Sequence, residues 1–354
     1  MNFKKNFKIG NKRIGLNSRA LIVAEISANH NQNLLTTKKL ITSAIKNGAD
    51  LIKIQTYTAD SLTLNLKKKD FIIKKDNAWG KDKYLWKLYK RAETSADLTK
   101  KIFKFCKSKK IIVFSTPFDL GTVDLLEKLN CPAYKIASPE ITHIPLIEKI
   151  ASTKKPIILS LGLSSIKDTE LALKTIKKKG NLKVAILQCV ASYPAEINEQ
   201  NLLAIRELIK KYNIIVGLSD HTLGYVSPIT SIALGAKIIE KHFNIKKNNS
   251  PDSFFSTNED DFNLMVKNIR LTEASMGNGK IKISKSSKKN YNSRRSIYVS
   301  SKIQKGELIT NQNIKIVRPG YGLHPKFFKY ILNKKSKKTL KFGDRFKLKY
   351  VDDK

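Results

Sequence analysis

The sequence predicts an eight-stranded parallel α/β barrel, of the (β/α)8 TIM-barrel class, followed by a small β-rich domain. From residue 21 to about 276, short runs rich in β-branched residues alternate with longer segments that carry apolar residues at helical spacing. Eight such strand and helix pairs over about 250 residues match the size of a closed barrel. After this region the pattern changes to short alternating segments separated by turn signals.

The individual elements follow from these patterns. The strands are predicted at residues 21–27, 51–55, 111–116, 133–138, 156–162, 183–189, 214–220 and 237–243. The helices are predicted at residues 34–46, 96–108, 120–129, 145–151, 165–178, 201–211, 226–234 and 260–276. Gly48, Gly180 and Gly235 each follow a helix and permit the left-handed turn that commonly ends one.

The barrel is favoured over a doubly wound open sheet. An open sheet of that kind normally has a Gly-rich phosphate loop after its first strand, and residues 27–30 (SANH) are not such a loop. The longest interval, residues 56–97, lies between the second and third strands. We expect it to be either a functional loop or lid at the mouth of the barrel or a decoration.

Four regions are therefore predicted along the chain. Residues 1–20 form an N-terminal extension, 21–276 the catalytic barrel, 277–290 an exposed linker and 291–354 the small β-rich domain. The linker is rich in Gly, Lys and Ser and lacks apolar periodicity. The final 64 residues are too few for a sizeable active site of their own.

Composition narrows the function classes. The formal charge is +39, but only nine of the 68 basic residues are arginine and the lysines are spread along the chain, so no nucleic-acid partner is expected. A basic surface does favour anionic substrates. No apolar run approaches the roughly 18 residues of a membrane span, and no secretory signal is present, so we expect a cytoplasmic protein without a membrane partner. The three cysteines lack C-x-x-C spacing and are expected to be reduced.

Two histidines mark a candidate site. His221 and His242 each come directly after a β-branched run, with one helix between them. Because the carboxyl ends of neighbouring parallel strands lie side by side, the two imidazoles are expected to converge on one face. His30 also follows an apolar run. The residues alone leave metal binding, acid/base chemistry and a structural role open.

Charged residues inside the apolar strands are the second observation. Glu25, Lys53, Lys135 and Glu240 would each cost several kcal/mol if buried without a partner. Lysines with nearby hydroxyls suit a phosphate and a carboxylate, whereas a Schiff-base lysine or plain structural ion pairs are the alternatives. The predicted oxyanion-binding set is Lys53, Lys135, Thr116, Ser138 and Ser219.

The motifs resemble the sialic acid synthase family. The matching strings, in order, are residues 24–31 (AEISANHN), 53–57 (KIQTY), 115–118 (STPF), 134–138 (YKIAS), 217–222 (GLSDHT) and 240–243 (EKHF). Residues 56–60 (TYTAD) and 318–325 (RPGYGLHP) are similar to the branch of that family that makes pseudaminic acid. The resemblance extends from about residue 20 to 350.

The resemblance implies a reaction and a set of binding residues. Phosphoenolpyruvate would condense with an open-chain acetamido sugar, here 2,4-diacetamido-2,4,6-trideoxy-L-altrose, to give a nonulosonic acid and phosphate. N-acetylneuraminate and legionaminic acid synthesis are the alternatives. The implied positions are Lys53, Thr116, Lys135, Ser138 and Ser219 for phosphoenolpyruvate, and Gln55, Glu140, Tyr193, Asp252 and Arg295 for the sugar, with Glu25 at the reacting centre.

A divalent cation, Mn²⁺ or Mg²⁺, would be held by His221 and His242 and would act on the aldehyde oxygen. The end of the chain resembles the antifreeze-like SAF domain, which implies a domain-swapped homodimer in which Arg295 reaches the partner's sugar site. Ala191 departs from the family, which has a polar residue there, so that contact is not carried over.

Glu25 is the first candidate to orient or deprotonate the attacking water, because it is the carboxylate nearest the predicted anion site, and His221 is the alternative. Two rival functions remain. A lysine-dependent pyruvate aldolase would form an imine and release no phosphate. A binding or regulatory module would be favoured only if the charged strand ends were empty, and they are not.

Overall fold

The computed structural model describes residues 2–73, 79 and 82–352. The chain forms two compact units, Met1–Gly277 and Asn278–Lys354. The larger one begins with an antiparallel hairpin, β1 (Asn6–Ile9) and β2 (Lys12–Gly15).

The eight predicted barrel strands are confirmed. They are β3 (Leu21–Glu25), β4 (Leu51–Thr56), β5 (Val113–Pro117), β6 (Tyr134–Ile136), β7 (Ile157–Ser160), β8 (Val184–Cys189), β9 (Ile215–Asp220) and β10 (Ile238–His242). Each pairs in parallel with the next, and β10 pairs with β3 to close the ring. Nearly every strand residue is buried, as expected of a parallel sheet whose outer face is covered by helices.

The predicted helices are also present, with ends that differ by a few residues. They are α1 (Leu34–Lys46), α4 (Ala96–Ser108), α5 (Leu120–Lys128), α6 (Ile144–Ser152), α7 (Ile166–Lys178), α8 (Ala204–Tyr212), α9 (Val226–Ala233) and α10 (Glu259–Ser275). Two further short helices, α2 (Ala59–Leu62) and α3 (Leu85–Ala92), lie between β4 and α4. Ser95 and Asp119 illustrate the N-caps, since each side chain accepts a backbone N–H of the first turn.

The hairpin closes one end of the barrel. The predicted N-terminal extension thus has a defined structure, and Phe7, Ile9 and Ile14 are buried in the same core as the barrel strands. The N–H of Lys4 donates to the carbonyl of Leu182, which lies two residues before the start of β8. The hairpin therefore covers the amino end of the barrel, and the opposite, carboxyl end is where the site residues lie.

One glycine is required by close packing between strands. A Cβ on Gly217 would collide with the backbone carbonyl of Ile238 and would approach the side chain of Leu187 at 2.7 Å. Because both contacts come from neighbouring barrel strands, the backbone cannot move away without opening the ladder.

The long interval of residues 56–97 is an excursion from the barrel rather than a simple connection. Helices α2 and α3 pack together, and Tyr57 and Thr94 form an isolated antiparallel bridge at its base. The interval for which a functional loop or lid was predicted includes residues 74–78, 80 and 81, which lie outside the described part.

The second unit is small and β-rich, as predicted. Its helices are α11 (Lys285–Lys288) and α12 (Phe328–Ile331), and its antiparallel strands are β11 (Ser296–Val299) and β12 (Ile314–Val317). Several isolated bridges extend the pairing, and a core that includes Ile297 and Phe346 is fully buried. In neither unit does the described part contain a helix with the length and hydrophobicity needed to cross a bilayer.

Candidate active site

The two strand-end histidines lie together, as predicted. His242 is the last residue of β10 and His221 directly follows β9, and their ring centroids are 5.3 Å apart. The Nδ1 of His221 donates to the carbonyl of Val190 at 2.8 Å, which leaves its Nε2 as the free nitrogen. The Nδ1 of His242 is hydrogen-bonded to the hydroxyl of Ser27 at 3.1 Å. Both rings are thus held by their Nδ1 atoms.

The buried environment favours the neutral form of both imidazoles. Burial lowers the pKa of His221 to about 4, and burial together with the neighbouring His221 lowers the pKa of His242 well below its usual value. Neutral imidazoles with one oriented nitrogen are good ligands for divalent metals. Among the described residues no group of three or more His, Cys, Asp or Glu side chains could hold a metal. The donor chemistry therefore fits a site with two protein ligands and several open positions.

A buried cluster of four charges lies inside the barrel mouth. Glu240 is at its centre, with Oε1 3.5 Å from the Nζ of Lys53 and 3.8 Å from the Nζ of Lys135. Lys53 also contacts Glu25 and donates to the hydroxyl of Thr116 at 3.3 Å. All four charged side chains are at least 95% buried. They therefore need one another, since each would be costly alone.

Hydroxyls complete this cluster. Ser219 donates to Glu240 Oε1 at 3.2 Å, and Lys135 donates to Ser160 at 2.6 Å. The hydroxyl of Ser138 instead accepts the backbone N–H of Leu163 at 2.5 Å, so it holds the loop after β7. The structure thus brings Lys53, Lys135, Thr116 and Ser219 into one cluster, mostly through Glu240, and it links Ser138 to the backbone rather than to the lysines.

The environment shifts the pKa values of Glu25 and Glu240 in opposite directions. Burial, reinforced by the like charge of Glu240, raises the pKa of Glu25 to about 7 although Lys53 opposes the shift. Burial acts in the same direction on Glu240, but Lys135 and Lys53 together lower its pKa below the usual value. Carboxylates whose pKa values are pushed apart are typical of sites that use one as acid or base.

The pKa values of Lys53 and Lys135 are also shifted in opposite directions. Burial disfavours the charged form of both, but Glu240 and Glu25 raise the pKa of Lys53 above its usual value. The pKa of Lys135 is lowered by burial, and the charge of Lys53 adds to this effect.

A cavity of about 310 Å³ adjoins the histidines, and four of the predicted sugar-binding residues line it together with His242. They are Gln55, Glu140, Tyr193 and Asp252. Glu140 Oε2 is buried and has no hydrogen-bond partner among the described residues. Burial raises the pKa of Glu140 to about 7. A buried acceptor or donor of this kind indicates a polar ligand group in the cavity.

Aromatic side chains cover the histidine pair. The ring of Tyr193 lies 4.2 Å from that of His221, and Phe255 lies 4.8 Å from His242. Tyr193 also packs against Phe255 at 5.0 Å and Trp79 at 5.4 Å. These rings pack around the imidazoles and line the cavity beside His242.

Sequence reasoning missed a buried ion pair next to the histidines. The Nζ of Lys241 lies 2.5 Å from Asp220, with both side chains almost completely buried. Lys241 also donates to the carbonyl of Thr222, whose hydroxyl donates to Asp220 at 2.9 Å. Because strand residues alternate between faces, this pair lies on the opposite side of β9 and β10 from Ser219 and Glu240. The signal in the sequence is that Asp220 and Lys241 each stand between two site residues, in 219–221 (SDH) and 240–242 (EKH), and so point to the other face of their strands.

Glu240 itself was recognised in the sequence only as a charge that needs a partner, although it is the centre of the cluster. Its position two residues before His242 places it on the same face of β10, which is the signal that could have included it.

His30 has a structural role. Its Nδ1 accepts the N–H of Gln32 at 2.8 Å, so its Nε2 donates to the hydroxyl of Thr94 at 2.7 Å. The histidine therefore ties the loop after β3 to the base of the excursion. Arg295 lies in the second unit, where its side chain is exposed and donates to the carbonyl of Ile316 at 3.2 Å. Its role toward a partner stays a prediction.

Comparison with known proteins gives consistent matches. The model described as "NeuB family" matches residues 40–281, and the model described as "SAF domain" matches residues 294–344. The chain is 42% identical over 341 residues to the pseudaminic acid synthase of Campylobacter jejuni, covering 96% of this chain and 98% of that protein. It is 36% identical to the N,N'-diacetyllegionaminic acid synthase of the same organism, covering 91% and 97%. The crystal structure of the spore coat polysaccharide biosynthesis protein SpsE from Bacillus subtilis matches with a TM-score of 0.66 and 31% identity over 99% of each chain.

Proposed function

Because this chain belongs to the NeuB family, we propose that it is a pseudaminic acid synthase. It condenses phosphoenolpyruvate with 2,4-diacetamido-2,4,6-trideoxy-L-altrose, in the open-chain aldehyde form, and releases pseudaminic acid and phosphate. The observation that carries this proposal is the 42% identity to a pseudaminic acid synthase over nearly the whole of both chains. The lower 36% identity to a legionaminic acid synthase makes that product the nearest alternative.

The charge cluster supports phosphoenolpyruvate binding. Lys53 and Lys135 supply two positive charges, and Thr116 and Ser219 add hydroxyls within hydrogen-bond distance of the same cluster. Entry of the trianionic ligand gives the lysines a second partner besides Glu25 and Glu240. Ser138 acts at this site by holding the loop after β7 through Leu163.

The adjoining cavity supports sugar binding. Gln55, Glu140, Tyr193 and Asp252 bring polar atoms to its wall, next to His242. The unpartnered Oε2 of Glu140 gives a hydroxyl or amide of the sugar a buried partner. The aldehyde end of the sugar faces the histidines, so that it meets phosphoenolpyruvate at the boundary between cavity and cluster.

His221 and His242 would hold a divalent cation, Mn²⁺ or Mg²⁺, through their Nε2 atoms. When bound, such a cation supplies Lewis-acid polarisation of the aldehyde oxygen. Val190 and Ser27 fix the two rings through their Nδ1 atoms, and Tyr193 and Phe255 pack against them.

The chain's own residues account for the remaining steps. Carbon 3 of phosphoenolpyruvate attacks the aldehyde carbon, and carbon 2 gains oxocarbenium character next to the carboxylates of Glu25 and Glu240. Water adds to carbon 2, and the tetrahedral intermediate then expels phosphate. Glu25 accepts the proton of that water, because burial raises its pKa to about 7, which suits a general base at neutral pH.

A lysine-dependent aldolase is the second candidate, favoured by one observation. Lys135 is buried and its pKa is lowered, as an imine-forming lysine requires. Lys53 is less suited, since two carboxylates stabilise its charged form. Borohydride treatment in the presence of pyruvate would attach a three-carbon adduct to Lys135 only if the aldolase alternative were correct.

The proposed assembly is a domain-swapped homodimer, located in the cytoplasm, in which Arg295 completes the partner's sugar site. Arg295→Ala is expected to weaken sugar binding without changing the KM for phosphoenolpyruvate. Lys302→Ala, at another exposed position of the second unit, serves as the control.

The decisive experiment is phosphate release with a panel of sugars. The purified protein is incubated with phosphoenolpyruvate, Mn²⁺ and each of three sugars, namely the L-altrose substrate, the legionaminic acid precursor and N-acetylmannosamine. We expect rapid release with the first alone. Release with none of the three would contradict the family-level function, and equal rates with N-acetylmannosamine would contradict the pseudaminic acid assignment.

A further inference from the structure

The described part of the excursion between β4 and α4 contributes a wall of aliphatic and aromatic side chains to the cavity next to the histidines. Eight described residues of this segment line the cavity, and every one is aliphatic or aromatic. They are Tyr57, Leu62, Ile73, Trp79, Leu85, Leu88, Tyr89 and Ala92. The excursion is otherwise rich in lysine, so the absence of a charged side chain from this set reflects a sorting of residues between its two faces.

Helix α3 shows the sorting most clearly. Leu85, Leu88, Tyr89 and Ala92 follow the spacing i, i+3, i+4 and i+7, which places them on one face of the helix. The intervening residues include Lys87 and two further cations, which point away from the cavity wall. Tyr89 and Ala92 of this stripe pack in a cluster with Tyr57, Leu62 and Phe118, and the rest of its surface borders open space of about 310 Å³. A ligand with apolar groups would cover it.

The barrel side of the cavity carries its charged and amide side chains, interspersed with Ala28, Phe118, Ala137, Pro139 and Phe255. Gln55 and His242 lie on strands, and Glu140, Tyr193 and Asp252 lie on the loops that follow β6, β8 and β10. The charged and amide groups of the cavity therefore lie on the barrel side, and the described excursion residues contribute only aliphatic and aromatic side chains. This division suits a sugar whose hydroxyl and amide groups are on one side and whose methyl groups are on the other.

The apolar wall is also anchored. Gln32 donates to the carbonyl of Lys90 at 2.6 Å, and the backbone N–H of Ala59 donates to Glu93 at 2.9 Å. His30 holds Thr94 in the same way. These bonds join both ends of the excursion to the barrel and to each other, so the wall can discriminate between ligands rather than adapt to them.

We infer that the apolar stripe of α3 determines sugar specificity by contacting the methyl groups of a 6-deoxy, diacetamido sugar. This inference rests on the proposed function, because that function supplies the sugar class. N-acetylmannosamine carries hydroxyls where the trideoxy sugar has a methyl group and a second acetamido group. A hydroxyl placed against Leu85 and Leu88 of this wall would lose its water without gaining a partner there, which typically changes affinity about 10- to 100-fold.

The test compares the two sugars on variants of the stripe. Leu88→Asn and Leu85→Asn each replace a leucine of the wall by a polar side chain, and Leu88→Met restores an apolar one. Leu64→Asn is the matched control, because Leu64 lies in the same excursion, is 60% exposed and does not line the cavity. Binding of each sugar is measured by calorimetry, and phosphate release and the KM for phosphoenolpyruvate are measured in parallel.

We expect Leu88→Asn and Leu85→Asn to weaken binding of the trideoxy sugar about 10-fold while binding of N-acetylmannosamine is unchanged or stronger. Leu88→Met should keep the preference for the trideoxy sugar that Leu88→Asn loses, and Leu64→Asn should bind both sugars as the parent does. An equal loss for both sugars, or no loss for either, would overturn the inference. Because binding is read without turnover, a failure of the proposed reaction shows separately as absence of phosphate release. Leu85 is only partly buried, so its variant keeps the test valid if Leu88→Asn does not fold.

Discussion

Replacing Lys241 by methionine is expected to lower the free energy of unfolding mainly because it leaves the charge of Asp220 uncompensated, and not because packing is lost. The Lys241–Asp220 pair joins the ends of β9 and β10, its side chains are 1% and 0% exposed, and its atoms are 2.5 Å apart. Methionine keeps much of the length of lysine but leaves Asp220 with only the N–H and hydroxyl of Thr222 as partners. Removing one member of a fully buried pair typically costs about 3–5 kcal/mol, because the remaining charge is uncompensated.

The assay is urea unfolding at pH 7.5, followed by circular dichroism, on the full chain. The control is Lys246→Met, because Lys246 lies the same 2.5 Å from Asp260 but both side chains are largely exposed. Exposed pairs contribute little, so the control should unfold as the parent does. A second comparison adds Asp220→Asn to Lys241→Met, which removes the orphaned charge and should recover part of the lost stability.

Two results would refute this reasoning. One is a loss below about 1 kcal/mol for Lys241→Met, which would place the pair with exposed ones. The other is a double variant no more stable than Lys241→Met, which would mean that the uncompensated charge of Asp220 is not the cause.

Two further predictions concern His30 and His242. The free energy of unfolding of His30→Asn is expected to fall less than that of the parent when the pH is lowered. Burial lowers the pKa of His30 from 6.5 to about 4, so its contribution is present above pH 6.5 and is lost as the pH falls toward 4, where the parent should lose roughly 3 kcal/mol more than the variant. Identical pH profiles of the free energy of unfolding would contradict this. His242→Ala is expected to bind Mn²⁺ at least about 10-fold more weakly, measured by equilibrium dialysis on the purified protein. His324→Ala, which changes an exposed histidine of the second unit, should bind as the parent does, and unaltered binding by His242→Ala would contradict the two-histidine site.

The fold was predictable because each barrel element has a strong local signal. The strands are short β-branched runs, the helices repeat apolar residues at 3.6-residue spacing, and the alternation of the two leaves few architectures open. Carboxyl ends of parallel strands share one edge, so the proximity of His221 and His242 also followed from the sequence. The N-terminal hairpin was missed because its strands of four residues are too short to give a periodic signal.

The contacts within the site depended on closure of the barrel. Lys53 and Glu240 are far apart in the chain, and they meet because β10 pairs with β3, which in turn pairs with β4. The same applies to Ser138, whose partner is the backbone of a neighbouring loop rather than a lysine.

By itself, the sequence determined the barrel, the strand-end residues and the family to which the chain belongs, since these depend on local periodicity and on motifs in order. Only the tertiary structure decided which charges are paired, that Lys241 and Asp220 lie behind the histidines, and that the stripe of α3 borders a cavity. An amphipathic helix has the same pattern whether its apolar face meets protein or a ligand. The distinction is made by the space that the rest of the chain leaves in front of it.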